Sequence, residues 1–507
     1  MQPLFLKFSN PRFQAYFRSS NPPFCSIIFS RDITHPGYPR QEYGEVRTDT
    51  MNESPRRPRQ NIDLVREPIR PALVRLAMPI MASAFLSTAY NLTDMAWVGT
   101  LGADAVAAVG VGGMYTWLSA GVITLARMGG QVLVGQELGA ENRKKAASYA
   151  RASVQMGILL GILYGLISLL FTRQLVGYFR LSNPASISDG IRYIRIVCGL
   201  IIFFFMTFHL TGIFNAQGDS RTPFMANSAG LIFNMVMDPI LIRGIGPFPR
   251  LGVTGAAIAT VTAQAIVTGI LIRHILSEKG RGNVLRDGPL LTPEQGEIYG
   301  DIFRLGFPAA VQNIIYTGIS FVLGRLVAEW GDHALAAQRM GNQIESVSWN
   351  IADGFAAAIN AFTAQNFGAK RKDRIQEGYR FSFLTLGAWG LLVTAVFLFL
   401  ADPISRIFFH EAGVIGISNH YLMIISFCEA FMCIESMTIG ALSGLGKTRL
   451  CSIISILLTG ARIPYAYVLC RTSLGLDGIW WAYSISSISK GIVFYLTFRW
   501  EMKKLPL

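Results

Sequence analysis

The chain has 507 residues, of which 51% are apolar types and only 15% are charged, where a soluble domain carries roughly 25%. That balance excludes an ordinary soluble globule, which could not hide so much apolar surface, and it excludes intrinsic disorder. The formal charge of +14 raises the question of nucleic acid, but the basic residues lie in short gaps between apolar runs and not on a folded polar face, so no nucleic-acid partner is expected.

Residues 1–70 form a polar arm with several Pro and Arg and no apolar run long enough to cross a bilayer. It is expected to be disordered or absent from the mature protein. Its first 31 residues hold Lys7, Arg12, Arg18 and Arg31 and no acid, which suits an organelle transit peptide. The alternative, which we favour, is a true start at Met51 and a bacterial plasma membrane.

Apolar stretches of about 20 residues, enough to cross a hydrocarbon layer of roughly 30 Å, then follow one another. Twelve are read, at 74–97, 106–135, 152–171, 192–215, 224–243, 252–272, 304–327, 336–365, 381–401, 418–443, 450–470 and 478–498. They are continuous and not alternating, so they predict helices: only helices or closed barrels satisfy their own backbone in lipid. The second and eighth are long enough to tilt or to project beyond the bilayer. Alternate gaps are rich in Lys and Arg, namely Arg143 to Arg151, Arg273 to Arg286 and Lys370 to Arg380. Those gaps are expected to be cytoplasmic, and an even number of spans puts both termini there. The six cysteines, including Cys428 and Cys433 on one apolar stretch, suggest neither a metal site nor a disulfide framework.

The chain repeats itself. Arg75-Leu76-Ala77-Met78-Pro79 recurs 229 residues later as Arg304-Leu305-Gly306-Phe307-Pro308, and Gln136 with Gly139-Ala140 recurs as Gln365 with Gly368-Ala369. At an offset of 228, GIFNAQGDSR from Gly212 matches GALSGLGKTR from Gly440. The predicted fold is therefore an all-α integral membrane protein of about twelve spans in two six-helix lobes, an N-lobe over 71–276 and a C-lobe over 304–500. A cytoplasmic linker at 277–303 joins them. Six is even, so the copies enter from the same side and form a parallel repeat about the membrane normal, the architecture of alternating access.

Ionisable residues within spans are costly and point to function. Asp94 in the first span and Asp238 in the fifth have no acidic counterparts, since the repeat places Leu323 and Ala466 there. Asn234 lies one turn before Asp238, and Pro239 frees a nearby carbonyl, so a proton or Na⁺ could be held there. The structural alternatives are a water-interface position for Asp94 and a local partner, Arg243, for Asp238. The second lobe offers Arg325, Glu345, Asp353, Glu429, Glu435 and Arg462 as polar or substrate contacts, or as salt bridges such as Arg325 with Glu329. His209 reads as a core histidine, and Arg127 either faces the cavity or snorkels. Pro79 and Pro308 permit bending near the starts of matching spans, and Gly110, Gly112 and Gly113 permit close helix packing. No nucleophile–base set, Walker loop or zinc spacing appears. An enzyme is not expected.

These motifs, with YNLTD, VGQELGAEN, NMVMDPILI and LGVTGAAIAT in order over roughly 70–500, resemble the multidrug and toxic compound extrusion (MATE) transporters, specifically their DinF-like branch. The resemblance implies a secondary antiporter that expels organic, often cationic compounds in exchange for H⁺ or Na⁺, with no cofactor. It also implies a coupling-ion site at Asp94, Asn234, Asp238 and Thr260. The seventh span lacks the acid that the NorM-like branch carries, which removes the basis for that branch's second-lobe site. The expected state is a monomer with small organic substrates and the lipid bilayer as partners. The rivals are a lipid-linked precursor flippase, which would need a cationic cavity built from Arg127, Arg325 and Arg462, and an integral-membrane enzyme.

Overall fold

In the computed structural model of the chain, the described residues are 61–179, 183–277, 282–409 and 411–505. The expectations for residues 1–60, including Met51 and the transit segment, lie outside them, as do Arg180, Glu278, Lys279 and Arg281. Among the described residues every regular element is helical. The N-lobe carries α1 (Ile69–Gly99), α2 (Ala103–Gly139), α3 (Arg143–Leu170), the short α4 (Thr172–Tyr178), α5 (Pro184–Val197), α6 (Ile202–Ala216), α7 (Arg221–Arg243) and α8 (Val253–Leu276). The C-lobe carries α9 (Gly296–Ala328), α10 (Asp332–Gly368), α11 (Lys372–Phe408), α12 (Ala412–Gly444), α13 (Thr448–Gly460), α14 (Arg462–Leu469) and α15 (Leu476–Lys504).

Nine helical segments among the described residues are long and apolar enough to cross a membrane, counting α13 with α14 as one, and α5 with α6, bent by 44°, makes a tenth. The remaining two, α10 and α15, have 37 and 29 residues and are more polar. With them each lobe holds six long helical segments, counting α5 with α6 and α13 with α14 once. The predicted fourth span is thus a broken helix, and the eleventh is interrupted only at Ala461. Near the first break, a Cβ on Gly199 would lie 2.1 Å from the Arg195 carbonyl oxygen.

The repeat extends to the backbone. Among the described residues the two non-glycine positions with positive φ, Glu141 at 60° and Lys370 at 55°, are 229 apart, and each terminates a 37-residue helix in the same way. Gly102 and Gly331, also 229 apart, have φ of 106° and 101° and turn the chain into α2 and α10. Such φ values disfavour side chains, which explains glycine at both places.

Two corrections to the expected boundaries follow from packing. The end of the predicted arm belongs to the folded unit: Leu64 is fully buried, and its carbonyl accepts from Asn366 Nδ2 at 3.0 Å and from the Arg374 guanidinium at 3.1 Å. Nor does the first span belong wholly to the N-lobe. Ile69, Ala72, Leu73, Leu76 and Ala77 pack into the C-lobe core with Phe355, Ile359 and Phe362, whereas Val98 packs with the N-lobe residues Ile242 and Ala257. Helix α9 mirrors this. Its Ile298 and Ile302 join the N-lobe core, and its Ile319 and Leu323 the C-lobe core. Both helices cross the seam, and Pro79 and Pro308 lie between the two sets of anchors. Helix α9 also begins at Gly296, inside the predicted linker.

The lobes are locked at the end of the bundle where α2 and α10 finish. Gln136 Nε2 donates to the Gly444 carbonyl at 2.9 Å, and its repeat mate Gln365 donates to the Ala216 carbonyl at 2.6 Å. Gln131 Nε2 donates at 3.1 Å to Oδ1 of Asn360, the residue 229 positions on. A Cβ on Gly139 would stand 1.8 Å from the Gln365 carbonyl oxygen, and one on Gly368 1.8 Å from that of Gln136. Toward the other end, the last hydrogen bonds between the lobes are Asn350 to Thr88 at 3.1 Å and Asn313 to Thr124 at 3.3 Å, among the described residues.

Candidate functional site

The packing of α1 on α7, and of α7 on α8, brings together the four residues expected at the coupling site. Asp94 comes from the last turns of α1, Asn234 and Asp238 from one face of α7, and Thr260 from α8. The carboxyl groups of Asp94 and Asp238 lie in contact, and Tyr90, one turn before Asp94, meets Thr260. Asp238 is fully buried and Asn234 nearly so. Five polar atoms, Asp94 Oδ1, both Asp238 oxygens and both side-chain atoms of Asn234, are buried with no hydrogen-bond partner among the described residues. Native interiors rarely leave such groups unsatisfied. Thr260 Oγ1 donates to the Ala256 carbonyl at 3.0 Å, which leaves its lone pairs free to accept.

Arg243 does not neutralise this pair. Its guanidinium stacks 4.7 Å over the Trp97 ring at the exposed end of α7. Nor is Asp94 freely at the water interface, since its Oδ1 is buried. Tyr193 of α5 is buried in the cluster formed by the ends of α1 and α7, with Val98 and Ile242, and its ring fits only because Gly112 of α2 lacks a side chain: a Cβ there would lie 2.2 Å from the ring. Gly110 and Gly113 face open space and serve no such approach. Sequence reading missed Tyr90 and Tyr193. The i,i+4 spacing of Tyr90 and Asp94 was available as a signal, whereas nothing local marks Tyr193.

The equivalent place in the C-lobe is built in the opposite sense. Leu323 and Ala466 stand for the two acids and pack in one apolar cluster. Arg462, 228 residues after Asn234, is buried there. Its Nη2 donates to Ser487 at 2.8 Å, its Nε to Ser486 at 3.2 Å, and its guanidinium lies 4.7 Å from the centre of the Tyr483 ring. A fixed cation thus stands in the C-lobe where the N-lobe has Asn234 beside two acids.

The other C-lobe residues divide into four groups. Arg325 is exposed in the last turn of α9, where it complements the helix dipole and forms no ion pair with Glu329, so it is not the buried contact expected. Glu345 and Glu429 are held inside the lobe by Tyr421 at 3.1 Å and Ser348 at 2.9 Å. Glu435 pairs with Lys490 at 2.8 Å, a lysine that sequence reading overlooked although it interrupts an apolar run. Asp353 differs. It is exposed, accepts from Ser436, and lies near Arg127 of the facing N-lobe helix α2. Arg127, one turn before Gln131, lies on the face of α2 that meets the other lobe. Of the three arginines a flippase cavity would need, Arg462 is held inside the C-lobe by Ser486 and Ser487 and Arg325 is exposed at the end of α9, so they do not form one buried cationic cavity and the flippase reading is not favoured. His209 accepts or donates at Nδ1 with Ser153, 3.4 Å away, as a core residue, while its Nε2 is buried without a partner.

The MatE family profile matches residues 79–240 and 308–468, one match in each lobe. A relative described as "Probable multidrug resistance protein NorM" from Thermotoga maritima is 29% identical over 444 residues, covering 86% of this chain and 94% of its own. "Multidrug export protein MepA" of Staphylococcus aureus is 22% identical over 85% of this chain and 94% of its own length. A crystal structure of MATE in the straight conformation superposes with a TM-score of 0.80 at 25% identity, covering 88% of this chain and 98% of that one.

Proposed function

The chain belongs to the MatE family, and from that premise we propose a secondary antiporter that exports organic, often cationic compounds in exchange for H⁺ or Na⁺. The observation that carries the coupling is the cluster of buried, unpartnered oxygens at Asp94, Asn234 and Asp238. Two carboxylates side by side repel, and a proton between them or a Na⁺ among the oxygens relieves that repulsion. The amide carbonyl of Asn234 and the Thr260 hydroxyl complete an oxygen set of the kind alkali cations accept. The location of this set in the N-lobe alone, opposite a C-lobe position filled by Arg462, supports the DinF-like reading.

The basic gaps support an orientation in which the locked end and the carboxy terminus are cytoplasmic, in a plasma membrane. The structure then corresponds to an outward-facing state. Ion uptake neutralises the N-lobe site, α1 rearranges at Pro79, where it crosses between lobes, and substrate leaves outward. Asp353 offers a carboxylate to a cationic substrate from the C-lobe side, with Glu435 behind it held by Lys490.

Reconstituted protein tested with a cationic dye against imposed pH and Na⁺ gradients distinguishes the two ions. Asp238→Asn and Asp94→Asn are expected to lower gradient-driven dye transport at least about tenfold, the scale of one lost charged contact. Coupled transport at the normal rate in both variants would refute the coupling site.

A further inference from the structure

Away from the seam, α11 and α15 enclose a groove of about 650 Å³ at the locked end of the bundle. Its rim carries Lys372, Arg380, Arg499 and Lys503, and its floor is apolar and aromatic, with Tyr379, Phe383, Leu384, Phe498 and Met502; among the described residues no carboxylate lines it. The floor is rigid. The rings of Tyr379 and Phe498 stack with centroids 3.6 Å apart and planes 12° from parallel, Phe383 packs on Tyr495 at 5.2 Å, and the Tyr379 hydroxyl is bonded to Thr438 at 2.9 Å.

Four cations line this one groove, with no acid among its described lining residues. Lys372 Nζ donates to the Leu505 carbonyl at 2.7 Å. Arg380, Arg499 and Lys503 are exposed, and none has a carboxylate within ion-pairing distance among the described residues. Glu377 lines a neighbouring groove on the other side of Arg380, and Glu501, next in the chain to Trp500, is buried and committed to Lys447 at 2.9 Å. Like charges so placed repel unless an anion sits among them.

The depth of the groove is that of a membrane interface. Helix α11 has 37 residues, so it is about 55 Å long at 1.5 Å per residue and outreaches a hydrocarbon layer of roughly 30 Å. Its first turns must stand among headgroups. Trp500 is half exposed with Lys504 Nζ 3.0 Å from its ring centre, and Tyr495, five residues earlier, lines the groove, the pairing of aromatic and basic residues that marks an interface.

We propose that this groove is a binding site for an anionic phospholipid of the leaflet on the basic side, with the phosphate and anionic headgroup held by Arg380, Arg499 and Lys503 and an acyl chain lying on Phe383, Leu384 and the Tyr379–Phe498 stack. Charge complementarity selects the headgroup, and the apolar floor distinguishes a lipid from a soluble anion. The site is separate from the ion and substrate path, and so stands or falls independently of the transport reading.

Full-length protein in nanodiscs of phosphatidylcholine with a minority of phosphatidylglycerol tests this by native mass spectrometry of the lipids retained. Wild type is expected to retain phosphatidylglycerol in preference to phosphatidylcholine, and the triple variant Arg380→Ala, Arg499→Ala, Lys503→Ala to lose that preference by about tenfold or more, given the attraction each juxtamembrane cation contributes. The single variants Arg380→Ala and Arg499→Ala, each expected to give a partial loss, keep the test decisive if the triple variant does not fold. Equal retention of both lipids by wild type, unchanged preference in all variants, or displacement of the lipid by inorganic phosphate alone would each overturn the proposal, the last by assigning the groove to a free anion.

Discussion

Lys490 and Glu435 meet at 2.8 Å with side chains 5% and 12% exposed, and neither has a second oppositely charged partner at that range. Removing one member leaves a buried charge unpaired, which costs about 3–5 kcal/mol, whereas replacing both by neutral groups of similar size is often harmless. Lys490→Met should therefore lower the thermal midpoint of the detergent-solubilised protein by several degrees, and Lys490→Met combined with Glu435→Gln should recover most of the loss. A double variant as unstable as the single one would show that the lysine acts through packing. The pair also shows what residue-level reading can reach. Asp94 and Asp238 were legible because the repeat supplied a matching position without an acid. Lys490 was visible as a charge in an apolar run, but its partner lies 55 positions away on another helix, and no local pattern connects them.

The spans themselves were legible because a continuous apolar run of that length satisfies its own backbone in lipid only as a helix. Their breaks were not, since Cys198, Gly199, Leu200 and Ile201 interrupt α5–α6 without any polar punctuation. The crossing of α1 and α9 between lobes was equally hidden: both helices are apolar all round, so composition does not say which lobe each half prefers. The repeat did mark the matched prolines at which they cross. Pro308 removes a backbone donor inside α9 and leaves the Arg304 carbonyl without its helical partner. Pro308→Ala restores that bond and is expected to stabilise α9 by about 1–3 kcal/mol, raising the thermal midpoint while slowing turnover in the dye assay. A rise in stability with unchanged turnover would mean that the C-lobe crossing helix does not move during the cycle.

Across the whole molecule the two lobes are nearly equivalent where they touch and unlike at Asp94 and Asp238, whose C-lobe places are taken by Leu323 and Ala466. The seam is held by repeat-related donors, Gln136 and Gln365, each reaching a helix-end carbonyl of the other lobe. Gln365→Ala leaves the Ala216 carbonyl without its partner, a penalty of about 1–3 kcal/mol if it stays dry. The locked state should lose population by that amount, seen as faster labelling of a cysteine introduced beside Gly139. Labelling at the wild-type rate would show that the close glycine contacts alone hold the seam.

The symmetry of that seam has a consequence for how it opens. Because Gln131 bonds to its own counterpart Asn360, with the reciprocal glutamine bonds beyond it, any separation of the lobes exposes donors and acceptors on both faces together. A dry gap there is costly, since each stranded group forfeits its hydrogen bond. Water must enter as the lobes part, and the width that first admits a water chain becomes the least width at which the parted state is stable. Hydration of the seam, and not the strength of any single bond across it, then sets the threshold between the two arrangements of the lobes.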